Sequence, residues 1–315
     1  MDVTDRHCRY FLRLLSPSAL LYTEMITARA IVRGDRESLL GFDAAEHPVA
    51  LQLGGHDPVE LAEAARIGEG FGYDEINLNV GCPSDRVREG RFGACLMLEP
   101  DVVAAAVGAI RSAVRIPVTV KSRIGVDDRE GFDFLSSFVE RVSAAGCRVF
   151  VVHARTAILS GLSPHENRTV PPLRYAVVTE LKRSRPDLTV VLNGGITTEE
   201  AVEGALRSVD GVMVGRKIVD DPCFLATLEQ RFVNPSATLP DRTAVVYRMY
   251  EYASRLAARG GRVHHVTRPM LGLYRGQRAA RSWRRFLSER VCQPDASPRL
   301  LLESLRIVEQ VTETE

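Results

Sequence analysis

The chain has 315 residues, 45% hydrophobic and 26% charged, with a formal net charge of +1. This is an ordinary globular composition with room for one large domain and a small one, and it excludes a protein that is strongly basic or acidic throughout. No apolar run approaches the ~20 residues of a membrane span, and the charged N-terminus lacks the apolar core of a signal peptide.

Six cysteines (Cys8, Cys82, Cys95, Cys147, Cys223, Cys292) are scattered without a C-x-x-C pair. A metal site is therefore not expected, and a reduced, cytoplasmic protein is. Five of the six read as small buried apolar residues.

The chain opens as a loop leading into a predicted helix over Arg6–Leu15. Strand-type runs follow at Leu20–Glu24 and Val49–Leu53. Pro58–Gly68 starts on proline and repeats apolar residues at i, i+3, i+4, which predicts an amphipathic helix. Glu75–Asn79 alternates polar and apolar residues, and Gly81 and Pro83 then force a tight turn around Cys82. A thiol held between Gly and Pro at a strand end is badly placed for core packing. It is well placed to enter a pocket as acid or nucleophile.

Helical patterns over Pro100–Val114, Phe132–Ala145, Pro172–Arg183 and Thr198–Leu206 then alternate with strands over Val118–Ser122, Val149–His153, Thr189–Asn193 and Gly211–Val214. Thr197, with Glu200 three residues on, reads as the cap of the last of these helices. Pro222–Arg231 reads as a closing helix.

Such alternation means parallel strands covered by helices, and a (β/α)8 TIM barrel takes about 250 residues. The expectation is a barrel over residues 1–235, with seven strands visible and the first lying upstream of residue 1. An open doubly wound sheet, which needs no eighth strand, is the competing architecture. After Asn234-Pro235-Ser236 the strands stop. Ala244–Ala258, Arg281–Arg290 and Ser297–Thr312 make residues 236–315 a helical domain.

Between Arg255 and Arg290, ten arginines stand against a single acid, Glu289. Arg278, Arg281 and Arg285 are spaced to share a helical face, with Trp283 among them. Only three of 41 basic residues are lysines, which explains the choice of cation but not the near absence of acids. The segment reads as a phosphate-binding surface.

In a barrel, functional groups sit at the C-terminal ends of strands. Those ends give Gln52, Asn79 with Cys82, Lys121, His153, Asn193-Gly194-Gly195 and Gly215-Arg216. The two glycine turns occupy the usual barrel phosphate position, and Arg216 adds a charge-assisted contact. Lys121 then faces the ring system of a phosphorylated cofactor, where a fixed positive charge favours a reduced, anionic flavin. Gln52 offers a donor and an acceptor to an imide edge. His153 reads equally as a ligand for ring or phosphate and as a structural residue. No G-x-G-x-x-G fingerprint occurs, so a nicotinamide visits rather than stays.

The residues Thr4–Ser16, His47–Gly55, Gly72–Val87 (GYDEINLNVGCPSDRV), Phe92–Met97, Val118–Gly125, Leu159–Arg168, Asn193–Ile196 and Asp210–Arg216 resemble the bacterial tRNA-dihydrouridine synthase family, A subfamily, over nearly the whole chain. The resemblance implies an FMN-bound barrel with a helical tRNA-binding domain. NADPH reduces the flavin, hydride passes to C6 of a uracil in the D-loop around position 20, and Cys82 protonates C5. It places Gln52, Lys121, His153, Asn193, Gly194, Gly195, Gly215 and Arg216 on FMN. Asn79 falls on the target nucleotide, with Arg168, Arg281 and Arg284 as tRNA contacts. The partner is tRNA rather than DNA or a membrane, and the protein is expected to be a monomer.

Three departures stand out. The family's opening strand with its Pro-Met pair precedes the point where this chain starts, its His-Ala-Arg-Lys is His153-Ala154-Arg155-Thr156 here, and His165 replaces a frequent lysine. Two other readings remain open. One is an FMN barrel oxidoreductase acting on a small molecule, of dihydroorotate dehydrogenase type. The other is an FMN-poor tRNA-binding protein lacking redox activity.

Overall fold

The computed structural model describes residues 3–84, 90–293 and 295–313. A seven-stranded sheet forms from β1 (Leu21–Thr27), β2 (Val49–Gly54), β3 (Glu75–Val80), β4 (Val118–Arg123), β7 (Val149–His153), β8 (Thr189–Asn193) and β9 (Gly211–Met213). The strands lie in chain order across the sheet, and each pair from β2 to β9 is parallel. A small antiparallel hairpin, β5 (Gly125–Val126) with β6 (Arg129–Glu130), sits in the loop after β4. The seven strands are the seven read from the sequence, and the curled parallel sheet with helical crossovers is the expected barrel architecture rather than a doubly wound order.

Why these segments fold locally is plain from their ends. Asp57 caps the helix Pro58–Gly70 by accepting from the Val59 and Glu60 N–H groups, and proline occupies the first turn. Within that helix a Cβ on Gly68 would stand 2.5 Å from Leu51 Cδ2, so glycine lets the helix press against β2. The helix Glu199–Leu206 is capped by Thr198, whose hydroxyl accepts from Ala201 N–H, and not by Thr197. The capping register is therefore one residue later than the sequence signal placed it. The helix over Pro172–Arg183 begins later as well, at Tyr175.

The chain divides into two compact units along a different line from the change of pattern at residue 235. One unit comprises Tyr22–Phe42 and Pro48–Gly215, and so holds the sheet. The other comprises the described residues up to Leu21, Asp43–His47 and the described chain from Arg216 on.

The N-terminal helix Arg6–Leu15 lies in this second unit, where a buried charge pair joins it to Asp43–His47. Arg9 Nε lies 2.7 Å from Glu46 Oε2, and both side chains are almost wholly buried. Arg13 adds contacts to the Glu46, Ser16 and Ala19 carbonyls. Ser16 Oγ donates to Glu229 Oε2 at 2.5 Å, tying the same segment to the C-terminal part. Short apolar periods do not announce such long-range polar anchoring.

Trp283 is fully buried, its indole N–H donating to the Met270 carbonyl at 3.1 Å. It is an anchor of the helical core rather than part of a ligand surface. Among the five cysteines expected to be buried, Cys8 and Cys147 are, while Cys95 and Cys223 are intermediate and Cys292 is exposed. The described residues hold no helix long and apolar enough to cross a membrane.

Removing one partner of a buried ion pair strands the other charge, at a cost of about 3–5 kcal/mol. Glu46→Ala should therefore lower unfolding free energy by about that amount. Equilibrium urea denaturation followed by circular dichroism measures it, and a loss near zero would show that the pair does not anchor this segment.

Candidate active site

The polar residues of β2, β3 and β4 alternate with apolar ones and share a face, but that face is not solvated. Gln52, Glu75, Asn77, Asn79 and Thr119 are all buried, so each must find a partner within the protein. Thr119 Oγ1 donates to Glu75 Oε1 at 2.7 Å, and the Tyr22 hydroxyl donates to the same oxygen at 2.8 Å. Asn77 Nδ2 donates to Thr119 Oγ1 at 2.8 Å, and Gln52 Nε2 donates to Asn77 Oδ1 at 2.9 Å. Asn79 Nδ2 donates to Gln52 Oε1 at 2.7 Å.

The column ends on the thiol-bearing turn. Asn79 Oδ1 accepts from the Gly81 N–H at 3.1 Å and the Cys82 N–H at 3.0 Å, folding the chain back by an Asx turn. The Cys82 carbonyl accepts from Ala94 N–H at 2.9 Å, while Cys82 Sγ lies 3.5 Å from Ser84 Oγ and is partly exposed. The sequence motif continues through Asp85, Arg86 and Val87, which lie outside the described residues.

Arg123 escaped the sequence reading and belongs here. Its Nε donates to the Gly81 carbonyl at 3.0 Å, and its Nη1 donates to the carbonyls of Thr156 at 3.2 Å and Asn167 at 2.9 Å. The guanidinium is buried and, among the described residues, has no carboxylate within ion-pair range. Burial, then the charges of Arg168 and Arg155, pull its pKa down to about 10 against the opposing Cys82 sulfur, so it stays charged at neutral pH. The available signal was its position two residues after Lys121, on the same strand face. Thr156, where the resemblance expects a lysine, is buried with its hydroxyl donated to Glu130.

Lys121 lies opposite Asn79 in the β3–β4 register. Its Nζ donates to Asn193 Oδ1 at 3.2 Å, and Asn193 Nδ2 donates in turn to the Met213 carbonyl at 2.8 Å. No carboxylate within ion-pair range of Lys121 occurs among the described residues. Burial first, and the neighbouring Arg123 charge second, lower its pKa to about 8.

His153 ends β7 beside Asn193, and its ring stands against Gly194. Gly194 and Gly195 have φ of +110° and +68°, a left-handed stretch that favours glycine, and Tyr175 donates its hydroxyl to the Gly194 carbonyl. Gly215 differs, because its φ is not positive and a Cβ there would meet nothing within 4 Å. Neither backbone nor packing demands glycine at that position.

The set fits a planar, hydrogen-bonding, anionic group. Gln52 keeps a second amide hydrogen, Lys121 is a cation without an acid, and Gly215 leaves open space where a side chain would otherwise project. Among the described residues no group of three or more His, Cys, Asp or Glu side chains is placed to hold a metal ion.

The structure therefore brings together Gln52, Asn79, Cys82, Lys121, His153, Asn193, Gly194 and Gly195 at strand ends of one unit. Gly215 follows β9 in that unit, while Arg216 opens the short helix Arg216–Asp220 in the other and is exposed. Arg168 is exposed and ends the short turn Glu166–Arg168 in the sheet unit. Arg281 and Arg284 are exposed on the helix Ala280–Arg290. Arg278 precedes that helix and does not share its face, contrary to the spacing argument.

The chain matches the family model described as dihydrouridine synthase over residues 1–309. It is 53% identical over 306 residues to a protein of Synechocystis sp., covering 97% of this chain and 92% of that relative. It is 52% identical over 309 residues to one of Escherichia coli K12, covering 98% and 89%, and 52% identical over 289 residues to one of Shewanella oneidensis, covering 92% and 86%. All three relatives are named tRNA-dihydrouridine(20/20a) synthase. With its parallel barrel strands, its cysteine turn and this similarity along its length, the chain belongs to the dihydrouridine synthase family.

Proposed function

We propose that this protein is an FMN-dependent tRNA-dihydrouridine synthase, reducing the C5–C6 double bond of a uridine around position 20 of the tRNA D-loop with NADPH as the source of electrons. The observation that carries the reading is a partly exposed thiol, Cys82, fixed at the end of β3, one strand from the ammonium of Lys121, which has no acid beside it among the described residues. Bound FMN, once reduced, supplies hydride to C6.

The chain's own residues do the rest. Cys82 gives its S–H proton to C5 as the new C–H bond forms, leaving a thiolate. Lys121 and Arg123 are the cations nearest this step among the residues assigned to the site, and solvent returns the proton. Gln52 and Lys121 hold the ring edge, where positive charge favours the reduced anion. His153, Asn193 and the N–H groups of Gly194, Gly195 and Gly215 serve ring and phosphate. Arg216 is assigned to the phosphate on the resemblance alone.

A base within folded RNA must leave its stack to reach such a site. Asn79 meets the displaced uracil, and the exposed Arg168, Arg281 and Arg284 hold phosphates. On the sequence division, catalysis is assigned to residues 1–235 and tRNA binding to residues 236–315, whereas the compact units place the chain from Arg216 on with the helical part. The protein acts as a cytoplasmic monomer with tRNA as its partner.

Cys82→Ala should leave FMN reduction by NADPH at its normal rate and cut dihydrouridine formation by about 10²–10⁴-fold, the range of a lost general acid. Stopped-flow absorbance and nucleoside mass spectrometry read the two steps separately, and wild-type dihydrouridine yield in the variant would remove the thiol from the mechanism.

Alanine at both Arg281 and Arg284 should weaken tRNA binding and reduce the slope of log K against log salt by about 1–2. An unchanged slope in filter-binding titrations would move the RNA surface elsewhere.

Lys121 carries its charge below about pH 8 and loses it above. An anionic ligand binds the charged form, so FMN affinity should fall as pH rises past about 8. Lys121→Met should flatten this dependence. Fluorescence quenching titrations from pH 6.5 to 9.5 test it, and identical pH profiles for the two proteins would exclude Lys121 as the titrating group.

A further inference from the structure

The buried polar column of the sheet has a direction. Its lower end is Glu75 Oε1, which accepts both the Thr119 and Tyr22 hydroxyl hydrogens; burial raises the pKa of this carboxyl, and the two hydrogen bonds work the other way, toward the carboxylate. Its upper end is the pair of backbone N–H groups of Gly81 and Cys82, which only donate. Between them Thr119, Asn77, Gln52 and Asn79 each donate toward Glu75 and accept from the side of the Cys82 turn.

With an accepting oxygen at one end and donor-only groups at the other, each amide has a single satisfied orientation. Reversing any of them would set donor against donor and acceptor against acceptor in a buried interior, where unmet polar groups are costly. Asn77 and Thr119 are fully buried, so water is not at hand to repair a reversal. Filling the sheet interior needs no such arrangement, since aliphatic side chains pack there without this risk.

We infer that Glu75 is a positioning residue for the reaction, acting through Thr119, Asn77 and Gln52 to fix which atom of Asn79 faces the Cys82 turn and which atoms of Gln52 remain for a ligand. The inference uses the proposed uridine reduction only for what the placement serves; the placement itself stands on the hydrogen bonds.

Glu75→Gln tests it at nearly constant volume. Glutamine at position 75 can present either its carbonyl oxygen or its amide N–H to Thr119, so the lower end no longer imposes one sense, while the two N–H groups still do so from above. Thr119→Val cuts the column between Glu75 and Asn77, and Thr119→Ser keeps the hydroxyl.

Two readouts separate positioning from mere stability. The first is kcat against KM for dihydrouridine formation in tRNA. The second is the alkylation rate of Cys82 by iodoacetamide, followed by peptide mass spectrometry on the purified full chain, which needs neither tRNA nor turnover. Glu75→Gln and Thr119→Val should each lower kcat about tenfold, the weight of one hydrogen bond, with KM for tRNA held within about twofold. Cys82 alkylation should shift at least about threefold, and Thr119→Ser should return both quantities to wild type.

Wild-type kcat and wild-type alkylation in both Glu75→Gln and Thr119→Val would overturn the inference. Should Glu75→Gln fail to fold, the Thr119→Val and Thr119→Ser pair decides it by the same criteria. If the wild-type protein forms no dihydrouridine, the proposed function fails, and the alkylation rates alone then decide whether Glu75 positions the Cys82 turn.

Discussion

A hydrogen-bonding group shut inside a parallel sheet must be met by another group of the protein, and this requirement organises the centre of the molecule. β2, β3 and β4 are flanked by other strands, and their apolar residues, such as Leu51, Ile76, Leu78 and Val120, are fully buried. Most of their polar residues are buried too. Glu75, Asn77, Asn79, Gln52 and Thr119 therefore bond to one another, and the sheet's register decides which meets which. The turn that presents Cys82 is the continuation of this network rather than a separate loop.

Charge at the site follows a second asymmetry. Lys121 and Arg123 enter the interior on alternate residues of β4 without a carboxylate to neutralise either among the described residues. Burial lowers the pKa of both, yet the values of about 8 and about 10 leave them cationic at neutral pH. Arg123 is held by three backbone carbonyls, which supply acceptors without supplying charge. The result is a preorganised positive environment around a thiol, suited to any step that leaves negative charge on sulfur or on a bound ring.

Much of this was legible in the chain. Alternation of strand and helix located all seven strands to within a few residues, because period-2 and period-3.6 patterns report burial directly. Gln52, Asn79, Cys82, Lys121, His153 and Asn193 were read as lying at or just past strand ends, and they do lie there, because a polar residue closing an apolar run marks where a strand leaves the interior. Arg123, Glu75, Thr119 and Tyr175 were not picked out. Each earns its place through a partner 19 to 53 residues away, such as Gly194 for Tyr175 or Tyr22 for Glu75, and no local pattern encodes such pairs. The arginine-rich segment was visible as composition. That Trp283 lies in the core while Arg281 and Arg284 face outward was not, since helical spacing alone does not say which face is buried.

The sequence by itself determined the order of elements, the parallel sheet, the cysteine turn and the polar strand ends, because these depend on local periodicity and on the backbone preferences of Gly, Pro and Asn. Only the tertiary structure decided that the alternating polar face of β3 is buried rather than solvated, that Arg9 and Glu46 bind residues 6–15 and 43–47 together, and that a one-way column of hydrogen bonds runs from Glu75 to the Cys82 turn. Alternation in a strand specifies two faces but not what covers them. That is settled when neighbouring strands, remote in sequence, are brought into register about 4.8 Å apart.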